Sequence, residues 1–349
     1  MLPLVSRAGD WFLRSGIQEP SGGVARYYRA DLQRNNPIST EITGYTASTF
    51  AYLYSLTGDP RYLDRAQSTT RFLAATAWDA ASCVLPFELH PPAFTYFFDC
   101  GIVVRGLLSV WRATGTPEFL AVAALLGDSM SRDFAAASAE YHPILTLPEK
   151  RPLPRDPARW SQSPGCYQLK AALAWWDLAG ATGDDAFRRL YQTLVPAATQ
   201  DAAAFLPGHP IRARVMDRLH AYLYFLEALL PCAAQPDCAA LMCQGIARVA
   251  ALLREIAPEF ARSDVYAQLL RLRVLAAEIV PVDRAAGNHE AECLAAFQAE
   301  SDDPRIDGGF HFGRAGGMFL PYINPVSTAF ALQALALWNG ATADPRQLI

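Results

Sequence analysis

Leu56-Thr57-Gly58-Asp59-Pro60-Arg61-Tyr62-Leu63, Ala113-Thr114-Gly115-Thr116-Pro117-Glu118-Phe119-Leu120 and Ala181-Thr182-Gly183-Asp184-Asp185-Ala186-Phe187 are three versions of one local pattern. In each, a glycine stands just past the last residue of an apolar helical period, where a left-handed cap closes a helix. Asp, Thr or Pro beside it then opens the next helix, with an acidic first turn. Each stretch is therefore a tight helical hairpin. The turns recur after 57 and then 68 residues, so one unit has room for two helices and a long loop.

Apolar periodicity on either side of these turns predicts helices near 3–16, 41–57, 60–76, 99–114, 117–136, 165–182, 185–204, 213–231, 236–257, 263–280, 285–299 and 326–339. The short turns follow the second, fourth and sixth helices. The long Pro/Gly-rich stretches 17–40, 77–98, 137–164 and 300–325 precede even-numbered helices. Short and long connections thus segregate to opposite ends, as in a ring of six hairpins with alternating outer and inner helices around a central cavity. The expected fold is all-α, with residues 1–349 forming a single domain.

A second echo relates the first and last units. Gln18 with Gly22-Gly23 and then Asn36-Pro37-Ile38-Ser39-Thr40 is matched by Gln298, Gly308-Gly309-Phe310 and Asn324-Pro325-Val326-Ser327-Thr328. Helix 3–16 should accompany 41–57 as 285–299 accompanies 326–339, which brings the termini together.

Composition narrows the partners. Apolar residues make up 52% and charged residues 18%, and the net charge of −4 gives a phosphate backbone nothing to bind, so nucleic acid is not expected. The N-terminus lacks the apolar core of a signal peptide, and no apolar run is expected to span a membrane. The seven cysteines form no CxxC pairs and read as reduced thiols of a cytoplasmic protein.

A helix ending in Gln, followed by Gly-Gly and an aromatic, resembles the repeat of the terpenoid cyclase and prenyltransferase toroids. The six-hairpin glycosidases share that (α/α)6-toroid architecture. More closely, Ser39-Thr40-Glu41-Ile42-Thr43-Gly44-Tyr45 and Phe98-Asp99-Cys100-Gly101, the latter running into Val104-Arg105-Gly106-Leu107-Leu108 and Trp111-Arg112-Ala113-Thr114-Gly115, resemble toroid proteins found with bacterial exopolysaccharide biosynthesis genes. The likeness covers about the first 120 residues; it implies an (α/α)6 toroid and does not supply a reaction.

In such a ring the inner helices begin side by side under the long loops, so polar residues at their starts are the candidate site. Glu41 reads first as a dipole partner in the opening turn behind Ser39. The echo places Ala329 at its counterpart, so capping does not require an acid there and a functional role gains ground. Asp99 reads either as the N-cap of its helix or, after the apolar run Phe94-Thr95-Tyr96-Phe97-Phe98, as a desolvated general acid. Together Glu41 and Asp99 suit glycoside hydrolysis.

Asp217 and His220 stand at i and i+3, with Tyr224 and Glu227 continuing the same face. This is either a satisfied internal network or a proton-transfer pair facing the cavity. Tyr45, Arg105, Trp160, Tyr167, Tyr224 and Phe310 are candidate sugar contacts, the aromatics as stacking platforms and the arginine for acidic groups.

No metal site is expected, because Asp217 and His220 lack a third ligand and adjacent Asp99-Cys100 cannot both face one ion with His311. Glu300-Ser301-Asp302-Asp303 only faintly matches a class II cyclase motif and reads as a solvated loop. The preferred expectation is a cytoplasmic protein, without cofactor, that takes an oligosaccharide or polysaccharide and acts as glycoside hydrolase, epimerase or lyase. Glu41, Asp99, Asp217 and His220 would carry its chemistry. The rivals are an isoprenoid enzyme and a non-catalytic glycan-binding or scaffold protein; the oligomeric state is open.

Overall fold

The computed structural model describes residues 3–136, 140–156 and 158–349, so part of the expected loop 137–164 lies outside it. Among the described residues there are twelve α-helices: α1 (Pro3–Arg14), α2 (Thr40–Thr57), α3 (Pro60–Arg71), α4 (Phe97–Thr114), α5 (Pro117–Asp133), α6 (Gln168–Thr182), α7 (Asp185–Phe205), α8 (Arg212–Ala228), α9 (Pro236–Ile256), α10 (Ser263–Leu275), α11 (Arg284–Ala295) and α12 (Pro325–Trp338). They match the expected series one for one. Eight short strands lie in the long connections: β1 (Tyr28–Arg29), β2 (Arg34–Asn35), β3 (Phe94–Tyr96), β4 (Ile144–Thr146), β5 (Phe260–Arg262), β6 (Gly313–Ala315), β7 (Met318–Phe319) and β8 (Tyr322–Ile323).

The hairpin turns form as their residues dictate. Gly58, Gly115 and Gly183 adopt φ of 69°, 69° and 76°, and their N–H groups donate to the carbonyls of Tyr54, Trp111 and Ala179. Asp59 then accepts from the backbone of Arg61 at 3.0 Å, and Asp184 from Ala186 at 2.8 Å, so the next helix starts at once.

Burial separates the two kinds of helix. The even-numbered helices α2, α4 and α12 are buried on nearly every side, whereas α3 hides only Tyr62, Ala66, Thr69 and Thr70. The buried hydroxyls of Thr43, Thr46 and Thr49 on α2 are satisfied by donating to the carbonyls four residues back, each at 2.8 Å. Contrary to the sequence expectation, α9 has the length and mean apolarity of a membrane-crossing helix. Its buried residues Cys238, Met242, Gly245, Val249 and Leu253 form one stripe, and Gly245 lies against the side chain of Leu226 on α8.

The chain divides into two compact units. One comprises 18–26, 37–203 and 344–349; in it α4 packs against both α2 and α6, and β3 pairs antiparallel with β4. The other comprises 1–17, 27–36 and 204–343; in it α10 packs against α8 and α12, α1 lies on α12, and two three-stranded sheets run β2-β1-β8 and β5-β6-β7.

The sequence echo is a real structural repeat. Gln18 bridges to Val24, and Gln298 to Phe310. Val24 N–H donates to Thr43 Oγ1 and Phe310 N–H to Thr328 Oγ1, both at 2.9 Å. These bonds correct the register read from sequence. Ser39, the N-cap of α2, corresponds to Asn324, the N-cap of α12, so the counterpart of Glu41 is Val326 rather than Ala329. The inference drawn from the echo survives, because this start also needs no acid.

Candidate functional site

The start of α2 is fixed from above. Ser39 accepts from Ile42 N–H at 3.4 Å, Thr40 Oγ1 donates to the Pro86 carbonyl at 2.8 Å, and Thr40 N–H donates to the Phe87 carbonyl at 3.3 Å. The 77–98 connection is thereby laid over the first turn, where Glu41 is the second helical residue. On α4 the helix begins two residues earlier than expected, with Tyr96 as an N-cap that makes no side-chain bond. Asp99 is therefore not the cap. It is the third residue of the helix, 8% exposed, and among the described residues nothing donates a hydrogen bond to its Oδ2.

Glycines let these helices close up. A Cβ on Gly106 of α4 would sit 2.5 Å from the Gly44 carbonyl oxygen on α2, and one on Gly101 would sit 2.5 Å from the Ala171 carbonyl oxygen on α6. Close backbones bring the two first turns, and their acids, together.

The electrostatics follow from that proximity. Burial pushes the Glu41 carboxyl up to about 7, with the nearby Arg26 charge opposing. Asp99 is raised well above the ordinary carboxylate range, first by burial and then by the charge of Glu41, again against Arg26. Two acids sharing a dry space do not both ionise easily, so the pair is set up to hold one proton and one negative charge. Arg26 itself is exposed, lies 4.8 Å over the Phe87 ring and stands 3.8 Å from Glu88.

Of the expected sugar contacts in this unit, Tyr45 is buried one turn below Glu41 on the same face of α2. The Tyr167 hydroxyl donates to the Ser163 carbonyl at 3.0 Å, and its ring meets Phe98, the neighbour of Asp99, at 6.2 Å. Trp160 sits on a single helical turn with its ring edge-on to Tyr167 at 5.0 Å. Arg105 does not reach the rim. It is buried six residues into α4 beyond Asp99, and its Nε donates to Asp177 of α6 at 2.8 Å, so a fixed partner already occupies its charge.

The second unit gathers the other candidates. Asp217 is half-exposed and accepts from Arg262 Nη1 at 2.7 Å. His220 Nδ1 lies 2.7 Å from Gln268 Oε1 and 3.5 Å from Asp264 Oδ2, and Tyr224 meets the imidazole edge-on at 4.4 Å. Arg262 also donates to both oxygens of Asp264, at 3.0 and 2.5 Å. Burial pushes His220 down to about 4; the Asp264 charge opposes this and the Arg262 charge adds to it.

The stripe on α8 ends in a structural contact, since Glu227 accepts from the fully buried Arg271 at 2.7 Å. Phe310 is corrected outright: it is 0% exposed, and its ring is core rather than a sugar platform. Sequence reasoning missed Arg262, Asp264 and Gln268. The available signal was position, because Asp264 is the second residue of α10 just as Glu41 is of α2.

No protein-family model and no curated protein matches the sequence. Solved structures do match in shape. A sugar epimerase from a ruminal bacterium superposes with a TM-score of 0.73 at 12% identity, over 97% of this chain and 98% of that one. The cellobiose 2-epimerase of Spirochaeta thermophila DSM 6192 gives 0.70 at 15% identity, over 96% of each chain. The unsaturated glucuronyl hydrolase of Bacillus sp. GL1, responsible for glycosaminoglycan degradation, gives 0.67 at 13% identity, over 95% of each. With its twelve described helices in the expected order and these likenesses spanning nearly the whole chain, the protein has the all-α (α/α)6-toroid fold.

Proposed function

We propose that the whole chain is one carbohydrate-processing domain, in which Glu41 and Asp99 form an acid/base pair that breaks a glycosidic bond. The observation that carries this reading is the pair itself, a buried Asp99 with an unpartnered oxygen and a part-exposed Glu41 whose charge it feels, both raised by loss of hydration. Asp99, raised by burial and by the charge of Glu41, is the member that donates a proton to the leaving oxygen. Glu41, poised near neutrality, supplies the carboxylate that activates water or attacks the sugar, according to the separation between the two carboxyl groups. Trp160, part-exposed and edge-on to the buried Tyr167, offers an aromatic face on which a sugar ring stacks.

The superposed proteins act on sugars, which supports this substrate class. The motifs around Glu41 and Asp99 favour a bacterial polysaccharide or its precursor as substrate, handled in the cytoplasm. The isoprenoid reading is disfavoured by the carboxylate pair, since a hydrocarbon-binding cavity does not require two coupled acids. The test is a panel of neutral and anionic oligosaccharides, scored by melting-temperature shift and by released reducing ends. Glu41→Gln and Asp99→Asn should each abolish turnover while keeping the shift; full turnover in either variant removes the acid/base assignment, and no shift with any sugar removes the carbohydrate reading.

A further inference from the structure

We propose that Arg26 is a specificity-determining residue that takes a carboxylate of the substrate, so that the Glu41–Asp99 site prefers a uronic acid to its neutral counterpart. This rests on the carbohydrate reading above. Every group in the argument belongs to the unit made of 18–26, 37–203 and 344–349. Backbone bonds bring Arg26 to the site. Its N–H donates to the Pro37 carbonyl at 3.0 Å and Ala25 bridges to Ile38, which lays this segment beside the residues that lead into α2 and Glu41. Phe87, whose carbonyl accepts from Thr40 N–H, is fixed over the same helix start. Its ring meets Tyr96, the N-cap of α4 three residues before Asp99, at 5.2 Å. The Arg26 guanidinium lies on that Phe87 ring, 4.8 Å from its centre.

This face is open to solvent. Arg26 is exposed, and Glu41, Phe87, Glu88 and Tyr96 are each part-exposed. Their charges are felt together: the Tyr96 hydroxyl, raised first by burial and then by Asp99, also senses Arg26, Glu88 and Glu41. Arg26 is the cation that acts on both acids of the pair.

The guanidinium still has its donors. Glu88 Oε1, 3.8 Å from Nη1, is within ion-pair range but too far for a hydrogen bond, and among the described residues no other acceptor meets the Arg26 side chain. Arg105 and Arg65 in the same unit are instead held by Asp177 at 2.8 Å and by Gln18 at 3.1 Å. With Phe87 on the face of Arg26, its N–H edge remains, and an arginine edge takes both oxygens of a carboxylate. The surrounding charge selects the ligand. Glu88 and the half-ionised pair already outweigh Arg26, so a phosphate dianion would add repulsion with no second guanidinium to meet it. A single carboxylate is matched by the one guanidinium.

The test compares sugars that differ only in this group: cellobiose with cellobiouronic acid, and mannose with mannuronic acid, titrated by calorimetry near neutral pH in low salt. In a pair that binds, the acid should bind about five- to tenfold more tightly than its neutral partner, and high salt should erase most of the difference. Arg26→Met should bring the two sugars level, and Arg26→Lys should keep part of the preference. Glu88→Gln, which removes the competing carboxylate, should widen it. Because Arg26→Met also releases Glu41 from an opposing charge, the ratio of the two sugars, not either alone, reads recognition. If the sugars are turned over, the loss should lie in KM for the acid.

Equal binding of acid and neutral sugar, or a preference that survives Arg26→Met, overturns the assignment and leaves the carbohydrate reading standing. So does tighter binding of mannose 6-phosphate than of mannuronic acid. If no sugar binds the wild type, the carbohydrate reading fails and this assignment with it. The wild-type comparison needs no variant, so it decides the proposal even where a substituted protein fails to fold.

Discussion

Gly106 and Gly44 are packed so closely that the Cβ of an alanine at 106 would stand 2.5 Å from the Gly44 carbonyl oxygen, well inside van der Waals contact. The obstructing atom is backbone, so no side chain can rotate away. Gly106→Ala should therefore cost about 1–3 kcal/mol, read as a lower urea midpoint. Gly180, on α6, has nothing within 4 Å of an added Cβ and is the control. Gly180→Ala should be neutral or stabilise by up to about 1 kcal/mol through helix propensity. Equal losses in the two variants would show that α2 and α4 do not depend on this contact.

The same contact sets the distance between the acids, so Gly106→Ala should also relax their coupling. Among surface residues, Arg26 opposes the raised values of both Glu41 and Asp99. Arg26→Met removes that opposition and should move the titration of Glu41 upward from about 7, carrying any pH–activity limb that it controls to higher pH. A limb that stays in place, or moves down, contradicts the assignment of Glu41.

What the sequence disclosed and what it hid follow one physical division. The hairpin turns were legible because a glycine cap and the next N-cap are decided within a few residues, as at Gly58-Asp59-Pro60. The register of the end repeat was misread by three residues because Asn-Pro-x-Ser-Thr recurs in both copies, whereas the true equivalence is set by distant bonds such as Val24 to Thr43. Glu41 and Asp99 stood out as acids at the starts of apolar helices. Arg105 was misplaced because its partner Asp177 is 72 residues away, and Phe310 because a loop aromatic carries no local sign of burial. Asp264 looked like an ordinary dipole partner until Arg262 and His220 were seen against it.

Arg105 and Asp177 illustrate how costly such a distant pair is to break. Their side chains are 4% and 3% exposed, and Arg105 Nη1 already has no hydrogen-bond acceptor among the described residues. Asp177→Leu strands a buried guanidinium and should destabilise by about 3–5 kcal/mol. Arg105→Met combined with Asp177→Leu removes both charges, so the double variant should recover most of that loss in urea unfolding. Additive losses would mean that the pair is solvated and contributes little.

The two candidate clusters should pull stability in opposite directions with pH. Glu41 titrates near 7 in the folded protein against an ordinary 4.5, so the folded state holds the proton more tightly. Its contribution is full below 4.5 and is lost as pH rises through 7. His220 is depressed from 6.5 to about 4, so the folded state holds the proton less tightly. Its contribution is full above 6.5 and is lost as pH falls toward 4, and His311, also lowered by burial, acts in the same direction. Each main shift is worth on the order of 3 kcal/mol at full extent, and Asp99, raised with Glu41, adds to the loss toward neutral pH. Relative to the wild type, the urea midpoint of Glu41→Gln should fall more toward acid, and that of His220→Phe more toward neutral pH; if both variants keep the pH profile of the wild type, neither group is perturbed as its surroundings require.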